Sequence, residues 1–516
     1  MKIMIRKYIC LLACALIGTS AMAQNAYDAL RFSEQYAEGT ARSVAMGNAF
    51  VALGGDMGAF SLNPASSAVY RYSEFVFTPS ATVATSKVDY LGWAHDDSKT
   101  RAGIANIGFV STSRTGREHS GLVSWSAGLV FNKLNNYTFG QKVYGQTDKT
   151  SWLSSLAYNT DGIFAPDMDM RGGYDPFYHS GAGWNSVLAW NNSLLDTLPG
   201  TNNAYIAATE NLNGKDISVG GMLEQRYNCS TVGNVTEAVI NWAGNFSNRL
   251  YIGVNLGIQS IYYKYEERYA EEAMNRSDFQ TGFRYFSQGY RYTATGTGIN
   301  LKAGMIYLPT NWLRLGASIS TPTWMYLEEE WENGMNSEFN DGYRQSLLSP
   351  LGTYNYRLNT PFRWNVGAAL VMGARGVISA DFESVDYSRA RLKDMDYEFG
   401  YQVENNDIKS LFAKQDIIRL GAEINATAAC ALRAGYQHYS SPYADGSSDD
   451  EVEVVSFGAG YVFPCMSGDL FVDLTYQQHL KKKEGFALYG DTQIPAPVGT
   501  ANNSNWKLLL SVGFRF

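Results

Sequence analysis

The chain has 516 residues and a formal net charge of -8, with 17% charged and 14% aromatic residues. The charged fraction is below the roughly 25% of a typical soluble protein. The negative charge and the lack of a basic patch argue against nucleic acid as the main partner. Mean hydropathy is -0.23, and after the first two dozen residues no uncharged apolar run approaches the ~20 residues that a membrane helix needs. Composition therefore disfavours nucleic-acid-binding proteins and helical membrane proteins.

The first residues have the pattern of an export signal. A positively charged start precedes the apolar run YICLLACALIGTSA, and AMA at residues 21–23 forms an A-x-A cleavage site. We therefore predict a signal peptide over residues 1–23. The alternative is a lipoprotein box ending at Cys14, which would leave a very short apolar region.

Residue types that carry chemistry are dispersed. Beyond the signal, Cys229, Cys430 and Cys465 lie too far apart in sequence for a disulfide framework, and no CxxC or clustered histidine is present. The motifs GxSxG, HExxH and the P-loop are also absent. We therefore expect a protein that is not an enzyme, with no catalytic residues, no metal site and no cofactor.

Residues 24–72 do not alternate and are rich in Ala, Gly and Ser, as in GTARSVAMGNAFVALGGDMGAFSLNPASSAVYRYSE. Glycines interrupt any long helix, and an Asn-Pro step begins a turn. Short, weakly apolar helices of this kind would form a plug inside a barrel, which we call the hatch. The residues expected to shape the hatch are Gly54, Gly55, Asn63, Pro64 and Ala65.

From about residue 231 the sequence alternates between apolar and polar or small residues with little interruption, and a few earlier segments fit the pattern, so we assign residues 73–516 to the barrel. Leu250, Ile252 and Val254 fall on one face of a strand, with Tyr251 and Gly253 on the other. About fourteen segments share this period, which predicts an all-β fold: a transmembrane antiparallel β-barrel with an N-terminal hatch in its lumen. A periplasmic β-helix or sandwich is the alternative on pattern alone.

The connections between these segments alternate in length. Every second one is short, such as RTGREHS, SN, PTN, GARG, TAA and PCMSG. A barrel with periplasmic turns and extracellular loops has this asymmetry. The expected extracellular loops are residues 90–100, 141–230, 268–290, 327–361, 389–413, 441–451 and 482–504.

The largest loop, residues 141–230, contains apolar stretches. In GWNSVLAWNNSLLDTLPG, apolar side chains from Trp184 to Leu198 share one face of a predicted helix. Such area in a water-exposed loop indicates either a small core that caps the barrel or a groove for a ligand, and the two are compatible. The candidate ligand-capture residues are Trp152, Trp184, Leu188, Trp190 and Leu195.

Extrapolating the strand faces inward predicts charged lumen residues of both signs. They either form salt bridges that hold the wall and the hatch, or one arginine binds a carboxylate ligand. The inward charges are Lys302, Arg314, Arg363, Asp381, Glu383, Arg419, Glu423, Arg433 and Asp473. The possible carboxylate contacts are Arg314, Arg363, Arg419 and Arg433.

The chain ends on WKLLLSVGFRF, in which Trp506 and every second residue to Phe516 fall on one face of a strand. No polar segment follows to cover this row. We therefore expect the row to face lipid, with the last strand closing on the first so that no sheet edge meets hydrocarbon.

The hatch sequence GTARSVAMGNAFVALGGDMGAFSLNPAS resembles the N-terminal hatch of the FadL/TodX (OMPP1) family of outer-membrane transporters for long-chain fatty acids and other hydrophobic compounds. DIIRLGAEINATAACALRAGYQHYSSPY, VSFGAGYVF and the terminal phenylalanine resemble that family's last strands. The similarity spans essentially the whole mature chain. Two features depart from it: Ser66 follows Asn-Pro-Ala where Gly is common, and the loop of residues 141–230 is unusually long.

The resemblance implies a fourteen-stranded barrel in the outer membrane of a Gram-negative bacterium, closed by a hatch. Its function would be passive uptake of a hydrophobic small molecule such as a long-chain fatty acid, which leaves after a hatch shift or through a gap in the wall. The implied partners are this ligand, outer-membrane lipid and the barrel-assembly machinery, which would read Phe514 and Phe516, and the barrel would be a monomer. A surface-protein shuttle or secretion component of the same fold, or a haem receptor, are the alternatives.

Overall fold

The computed structural model describes residues 26–395, 400–466 and 468–516. The predicted signal peptide and its cleavage site lie outside these residues. In chain order the strands are β1 (Glu74–Tyr90), β2 (Trp93–Arg114), β3 (Leu122–Asn136), β4 (Phe139–Thr147), β5 (Leu195–Thr197), β6 (Tyr205–Ala207), β7 (Glu210–Asn213), β8 (Asp216–Val219), β9 (Leu223–Phe246), β10 (Leu250–Ala273), β11 (Phe283–Tyr307), β12 (Leu313–Ser320), β13 (Trp324–Phe339), β14 (Arg344–Leu348), β15 (Gly352–Asn359), β16 (Arg363–Val371), β17 (Gly376–Asp386), β18 (Arg391–Lys393), β19 (Lys414–Asn425), β20 (Cys430–Tyr439), β21 (Val452–Cys465), β22 (Gly468–Ala487) and β23 (Val498–Arg515).

The helices are short and lie before β1 or in the loops. None of the helices in the described residues is both long enough and apolar enough to cross a membrane. The α-helices are α1 (Ala26–Ser33), α2 (Ala41–Ala45), α3 (Trp152–Thr160), α4 (Pro176–His179), α5 (Trp184–Asn191) and α6 (Gln402–Leu411). The 3₁₀ helices are Gly58–Ser61, Pro64–Val69, Ala165–Met168, Arg276–Asp278, Tyr387–Arg389 and Ser448–Asp450.

All strands except β5–β8 belong to one antiparallel sheet, which closes on itself. Strand β1 pairs with β2 on one side and with β23 on the other, from Glu74↔Arg515 to Asp89↔Thr500. Some wall strands are interrupted. For example, β12 and β13 pair with successive parts of β11 and together form one strand of the wall. The result is a closed barrel of fourteen strands, and closure satisfies the backbone polar groups that lipid could not. The predicted fold class is confirmed.

The two faces of the wall strands follow the predicted alternation. On β10, the outward side chains of Ile252 and Val254 are 44% and 48% exposed, whereas the inward Asn255 and Gln259 are buried. On β23, Leu508 and Leu510 point outward and Leu509 points inward with no exposed surface. An apolar outer band over a polar interior is the pattern of a membrane-spanning barrel, so the terminal row faces lipid as expected.

Several expected loops are shorter in the structure because the strands continue beyond the apolar band. Residues 90–100 are not a loop: β1 and β2 join through Leu91 and Gly92, whose φ angles are 54° and 80°. The expected loops 268–290 and 327–361 are likewise mostly strand. These predictions were wrong because a strand that stands above the lipid needs no apolar face, so the ladder continues where the alternation ends.

Phe516 lies at the closure of the barrel. Its backbone exchanges two hydrogen bonds with Ser73, at 3.0 and 3.1 Å, and its ring stacks near Phe109 and Phe514. Deleting Phe516 removes contacts worth only about 1–2 kcal/mol at an exposed chain end. We nevertheless expect severalfold less heat-modifiable barrel in the outer membrane, because the resemblance implies that the assembly machinery reads this end.

The measurement is the amount of heat-modifiable protein in isolated outer membranes, beside refolding of the same variant in detergent. Phe516→Tyr, which keeps an aromatic end, is the matched control. Wild-type levels of the deletion variant in the membrane would contradict the assembly role.

Candidate functional site

The hatch runs inside the barrel and is held by polar side chains of the wall. Ser511 and Thr475 bond the backbone of Ala41, at 2.7 and 2.6 Å, and Ser456 donates to the carbonyl of Ala45 at 3.1 Å. These inward hydroxyls satisfy backbone groups at both ends of α2, which is too short to be stable alone. The wall therefore fixes the position of the hatch.

The local sequence of the hatch explains its compact path. Thr40 caps α2 by accepting from the backbone of Ser43, and its hydroxyl donates to Asp56 at 2.8 Å. Asp56 also accepts from the backbone of Gly58. A Cβ on Gly58 would lie 2.4 Å from the hydroxyl of Ser43 and 2.8 Å from the backbone of Thr40, so only glycine permits this approach.

The Asn-Pro-Ala turn lies against strands β9–β11. The Asn63 side chain caps the helix Pro64–Val69 by accepting from Ala65, and its amide donates to the carbonyl of Val51 at 2.6 Å. A Cβ on Gly304 of the wall would lie 2.0 Å from the Asn63 side chain. Gly54 and Gly55 have φ angles of 63° and 69°, as turn glycines do.

Buried ion pairs link wall strands to each other and to the hatch. Every inward arginine or lysine in the pairs given below has a carboxylate partner, as expected if these charges hold the wall and the hatch. Arg314 has none among the described residues. Arg314 donates instead to the hatch carbonyl of Leu53 at 2.6 Å. The pairs are Lys302–Glu237 (2.7 Å), Arg363–Glu383 (2.8 Å), Arg419–Glu383 (2.6 Å), Arg433–Glu423 (2.6 Å), Arg433–Asp473 (2.5 Å), Arg42–Glu423 (2.9 Å), Lys133–Glu38 (3.0 Å) and Lys507–Glu38 (2.8 Å).

Sequence reasoning missed Glu38, Arg42, Lys133, Glu237 and Lys507 in this network. Three of them, Lys133, Glu237 and Lys507, lie on strands. The signal was clearest for Glu237, which stands between the inward Val235 and Val239. For Glu38 and Arg42 the hatch offers no strand face to extrapolate. The carboxylate-binding role proposed for Arg314, Arg363, Arg419 and Arg433 stays a prediction.

Residues 148–222 fold into a small core over the barrel mouth, which we call the loop cap. Leu188 has no exposed surface and Trp184 is 8% exposed, and both belong to one apolar cluster with Phe283 and Phe486 of the wall strands. Trp152 packs against the rings of Tyr269 and Phe286, so the cap lies directly on the wall.

The predicted helical face of the loop is shorter than expected. Helix α5 ends at Asn191, and Leu195 lies in strand β5. The helix stops because Asn192 and Ser193 turn the chain, with a φ of 57° at Ser193. Trp190 remains partly exposed, and its indole N–H donates to Asp169 at 2.7 Å, which lowers the pKa of that carboxyl.

An extracellular cavity of about 400 Å³, the rim cavity, lies between the loop cap and the tips of the wall strands. Of the predicted capture residues, it is Leu195 that lines this cavity, together with Ile206, Phe339 and Tyr343. Trp184 and Leu188 do not reach it. Ligand capture by these loop residues stays a prediction. The rim cavity offers room for a captured ligand.

A second cavity of about 380 Å³, the lumen cavity, lies inside the barrel beside α1 and the start of the hatch. Its wall combines cationic, amide and aromatic side chains, a combination suited to a polar head group on an apolar body. Among the described residues no group of three His, Cys, Asp or Glu side chains is placed to hold a metal ion. The lining residues are Tyr27, Leu30, Arg31, Glu34, Tyr36, Asn135, Asn136, Tyr137, Tyr443, Val452, His479, Asn505 and Lys507.

The charges in the lumen cavity are partly compensated. Arg31 forms an ion pair with Asp28 and lies 4.8 Å from the ring centre of Tyr263. Glu34 is half-buried and accepts from the Tyr36 hydroxyl at 3.4 Å. Enclosure away from bulk water raises the pKa of Glu34 to about 7, so this carboxyl is partly neutral at physiological pH.

The wall has a seam next to the lumen cavity. The ladder between β2 and β3 ends at Asn106↔Asn132, and in the described part of the chain β4 pairs with β9 alone. Residues 93–105 of β2 therefore have no ladder partner on this side. His95 is the register partner of Val88, so its side chain points to the inner face of the β1–β2 hairpin. This side chain contacts the ring of Tyr144, which is on the outer face of β4. The hairpin therefore overlaps β4 from outside.

The hatch segment seals this seam from inside. The backbone N–H groups of Tyr36 and Glu38 donate to the carbonyls of Leu134 and Lys133, at 2.9 and 2.8 Å. These carbonyls lie at the register shift between β3 and β9. A displaced hatch segment would leave them unpaired and open the seam toward the lumen cavity.

Comparison with known proteins gives matches at the level of structure. No family model matches the sequence, and no curated protein matches it. A FadL homologue from Pseudomonas aeruginosa has a TM-score of 0.53 and 13% identity, over 94% of this chain and 100% of its own. The toluene transporter TodX from P. putida has a TM-score of 0.51 and 15% identity, over 94% and 99%. The chain has the FadL/TodX fold.

Within the FadL/TodX fold, the departure at Ser66 has a structural reason. Its hydroxyl donates to the carbonyl of Asp56 at 3.2 Å and its backbone bonds to Asn63 at 3.0 Å. The side chain is fully buried. Serine at this position thus ties the Asn-Pro-Ala turn to the preceding hatch loop, a bond that glycine could not make.

Proposed function

We propose that this protein takes up hydrophobic small molecules passively across the outer membrane, and that its ligand is an amphiphile with a carboxylate, such as a long-chain fatty acid. The lumen cavity carries the proposal. A purely hydrocarbon ligand would gain little from Arg31, Lys507 and the surrounding amides, whereas a carboxylate accepts hydrogen bonds from such donors.

Aromatic and aliphatic side chains of the same cavity suit the other end of the ligand. Leu30, Val452 and four tyrosines line it, and each buried methylene contributes roughly 0.8 kcal/mol before association costs. A partly neutral Glu34 reduces the repulsion of a second carboxylate. The geometry therefore supports an acid with an apolar tail.

The proposed path begins at the rim cavity, continues to the lumen cavity and ends at the wall seam. The loop cap covers the mouth, so a ligand from outside first meets Leu195, Ile206 and Phe339. The seam offers a lateral exit toward the membrane once residues 34–38 move. Passing sideways keeps an apolar tail out of the aqueous periplasm.

The test compares a carboxylate ligand with a neutral one. In the variant Arg31→Gln with Asp28→Asn, which removes both members of the ion pair, we expect oleate to bind about tenfold more weakly, because a charge-assisted hydrogen bond is lost. Binding of toluene should not change. The measurement is equilibrium binding of both labelled ligands to the purified barrel, beside cellular oleate uptake.

The matched control is Arg389→Gln with Asp386→Asn, an ion pair of the same sequence spacing at the end of β17, in which the arginine is exposed and asparagine can still cap the helix that follows. It should leave both ligands unaffected. An equal loss of oleate and toluene would contradict head-group recognition. Unchanged binding of both would place the lumen cavity outside the path.

A further inference from the structure

An outward-facing crevice of about 480 Å³ lies where the β1–β2 hairpin overlaps β4. We call it the overlap crevice. It is separate from both cavities described above and lies on the outside of the wall. Its lining includes His95, Lys142, Tyr144, Arg226, Arg268 and Tyr285.

The overlap crevice lies just beyond the apolar band, on the extracellular side. Along β10 the outward residues are apolar from Ile252 to Ile258, followed by Ser260 and Tyr262 and then by Lys264, Glu266 and Arg268. At roughly 3.3 Å per residue and a strand tilt of about 40°, the stretch from Tyr262 to Arg268 rises about 15 Å. The crevice therefore lies above the hydrocarbon on the outside of the wall, at a height that only a large head group, such as that of a glycolipid, would reach.

Three cations line the overlap crevice, and two of them, Lys142 and Arg226, are paired with carboxylates, whereas Arg268 is not. Arg226 pairs with Glu224 and Glu272. Lys142 pairs with Asp97 at 3.0 Å. Arg268 donates to the hydroxyls of Tyr285 and Ser287, at 3.2 and 3.3 Å, and within the described chain no carboxylate lies at ion-pair distance from it.

On the overlapping hairpin, Lys99 and Arg101 likewise have no carboxylate at ion-pair distance in the part of the chain that the structure describes. Lys99 lies over the edge of β4, since its side chain is 3.6 Å from the position that a Cβ on Gly140 would take. Asp97 and Glu266 act on Lys99 only from beyond ion-pair distance, and half-buried cations compensated in part attract an anion from outside the protein.

Among the neutral groups of the crevice, His95 lacks a hydrogen-bond partner in the described chain, whereas the Tyr144 hydroxyl donates to Glu224 at 2.8 Å and the Tyr285 hydroxyl accepts from Arg268. The Nε2 atom of His95 is buried and has no hydrogen-bond partner in the structure. The hydroxyls of Tyr144 and Tyr285 lie at the crevice with their rings exposed in part. Phenol rings and hydroxyls of this kind suit a sugar, whose apolar faces stack and whose hydroxyls bond.

We propose that the overlap crevice binds the phosphorylated head group of an outer-leaflet glycolipid. Arg268 and Lys99 bind the phosphate, the guanidinium fork of Arg268 matching two of its oxygens. The volume of the overlap crevice exceeds that of one phosphate, and the tyrosine rings of its lining contact the adjoining sugar. A bound lipid would hold the unpaired hairpin against β4 and cover the seam from outside.

The test uses the full-length mature barrel in detergent with two probes, bis-phosphorylated lipid A and the same lipid without phosphates. By native mass spectrometry we expect the wild type to bind the phosphorylated form at least about tenfold more tightly, since charged hydrogen bonds are lost without it. Lys99→Gln with Arg268→Gln should remove this preference. Arg117→Gln, in the exposed turn between β2 and β3 at the opposite end of the barrel, is the matched control.

Equal binding of the two lipids by the wild type would overturn the proposal. This comparison uses the wild-type protein alone, so it does not depend on whether the variants fold. Undiminished preference in the double variant would also overturn it. Displacement of lipid A by millimolar inorganic phosphate alone would show an ion site in place of a lipid site. Unchanged oleate binding by the double variant is expected, because the crevice lies outside the lumen.

Discussion

Replacing residues 39–66 with a short Gly-Ser linker is expected to turn an occluded barrel into an open pore. The replaced residues include α2, the Asn-Pro-Ala turn and the contacts with β9–β11 and β20–β23. None of them contributes to the ladder that closes β1 on β23. Single-channel conductance should therefore rise by about tenfold or more, since an empty lumen of this strand number holds water.

The wall should tolerate the loss because its own ion pairs remain, while Arg314 and Asp381, which lose their bonds to Leu53 and Val51, gain water from the opened lumen. Without Arg42, Glu423 still pairs with Arg433, and Glu383 still pairs with Arg363. The measurement is conductance in planar bilayers, with heat modifiability to verify folding. Deleting Gly214 and Lys215, at the exposed tip of the β7–β8 hairpin, is the control and should leave conductance unchanged. A folded but still closed variant would show that something other than this segment blocks the pore.

Lys302→Met is expected to destabilise the barrel by about 3–5 kcal/mol, as removal of one partner of a buried ion pair does. The Lys302 ammonium donates to both oxygens of Glu237, at 2.7 and 2.9 Å, and to the hatch carbonyl of Ser61 at 2.9 Å. Glu237 has no exposed surface. The variant therefore leaves a buried carboxylate with uncharged donors, among them the amides of Asn300 and Gln259.

The double variant Glu237→Gln with Lys302→Met separates charge from packing. It removes the uncompensated carboxylate and should recover most of the lost free energy of unfolding, measured by denaturant titration in detergent or lipid. Lys414→Met, whose exposed ammonium pairs with Asp416 at 3.1 Å, is the control and should cost no more than about 1 kcal/mol. A cost this small for Lys302→Met would show that water reaches the Glu237 site.

How far the sequence predicts this protein depends on the range of the interactions concerned. The faces of β10 and β23 are as predicted because side-chain alternation is a property of the local backbone. The Asn-Pro-Ala turn is also local, since Asn63 caps the helix that begins at Pro64. The expected loop over residues 90–100 failed for the converse reason, as the strand there carries no apolar face.

The candidate site required the closed barrel. Lys302 and Glu237 are 65 positions apart, and the register of β9, β10 and β11 brings them together. The same holds for the loop core, where Leu188 is buried by side chains of distant wall strands. The alternation in the sequence indicates which face of the sheet each side chain is on. It does not indicate which residue of the neighbouring strand lies beside it.

By itself the sequence determined the strands that meet lipid, the last strand that closes the barrel and the Gly-rich segment that cannot be a strand, because each follows from short-range backbone geometry and solvation. The tertiary structure alone decided the ion-pair partners of the lumen, the sealing of the seam by Tyr36 and Glu38, and the overlap of the β1–β2 hairpin on β4. These depend on strand register around a closed sheet, where a shift of one residue would turn every inward charge toward the lipid.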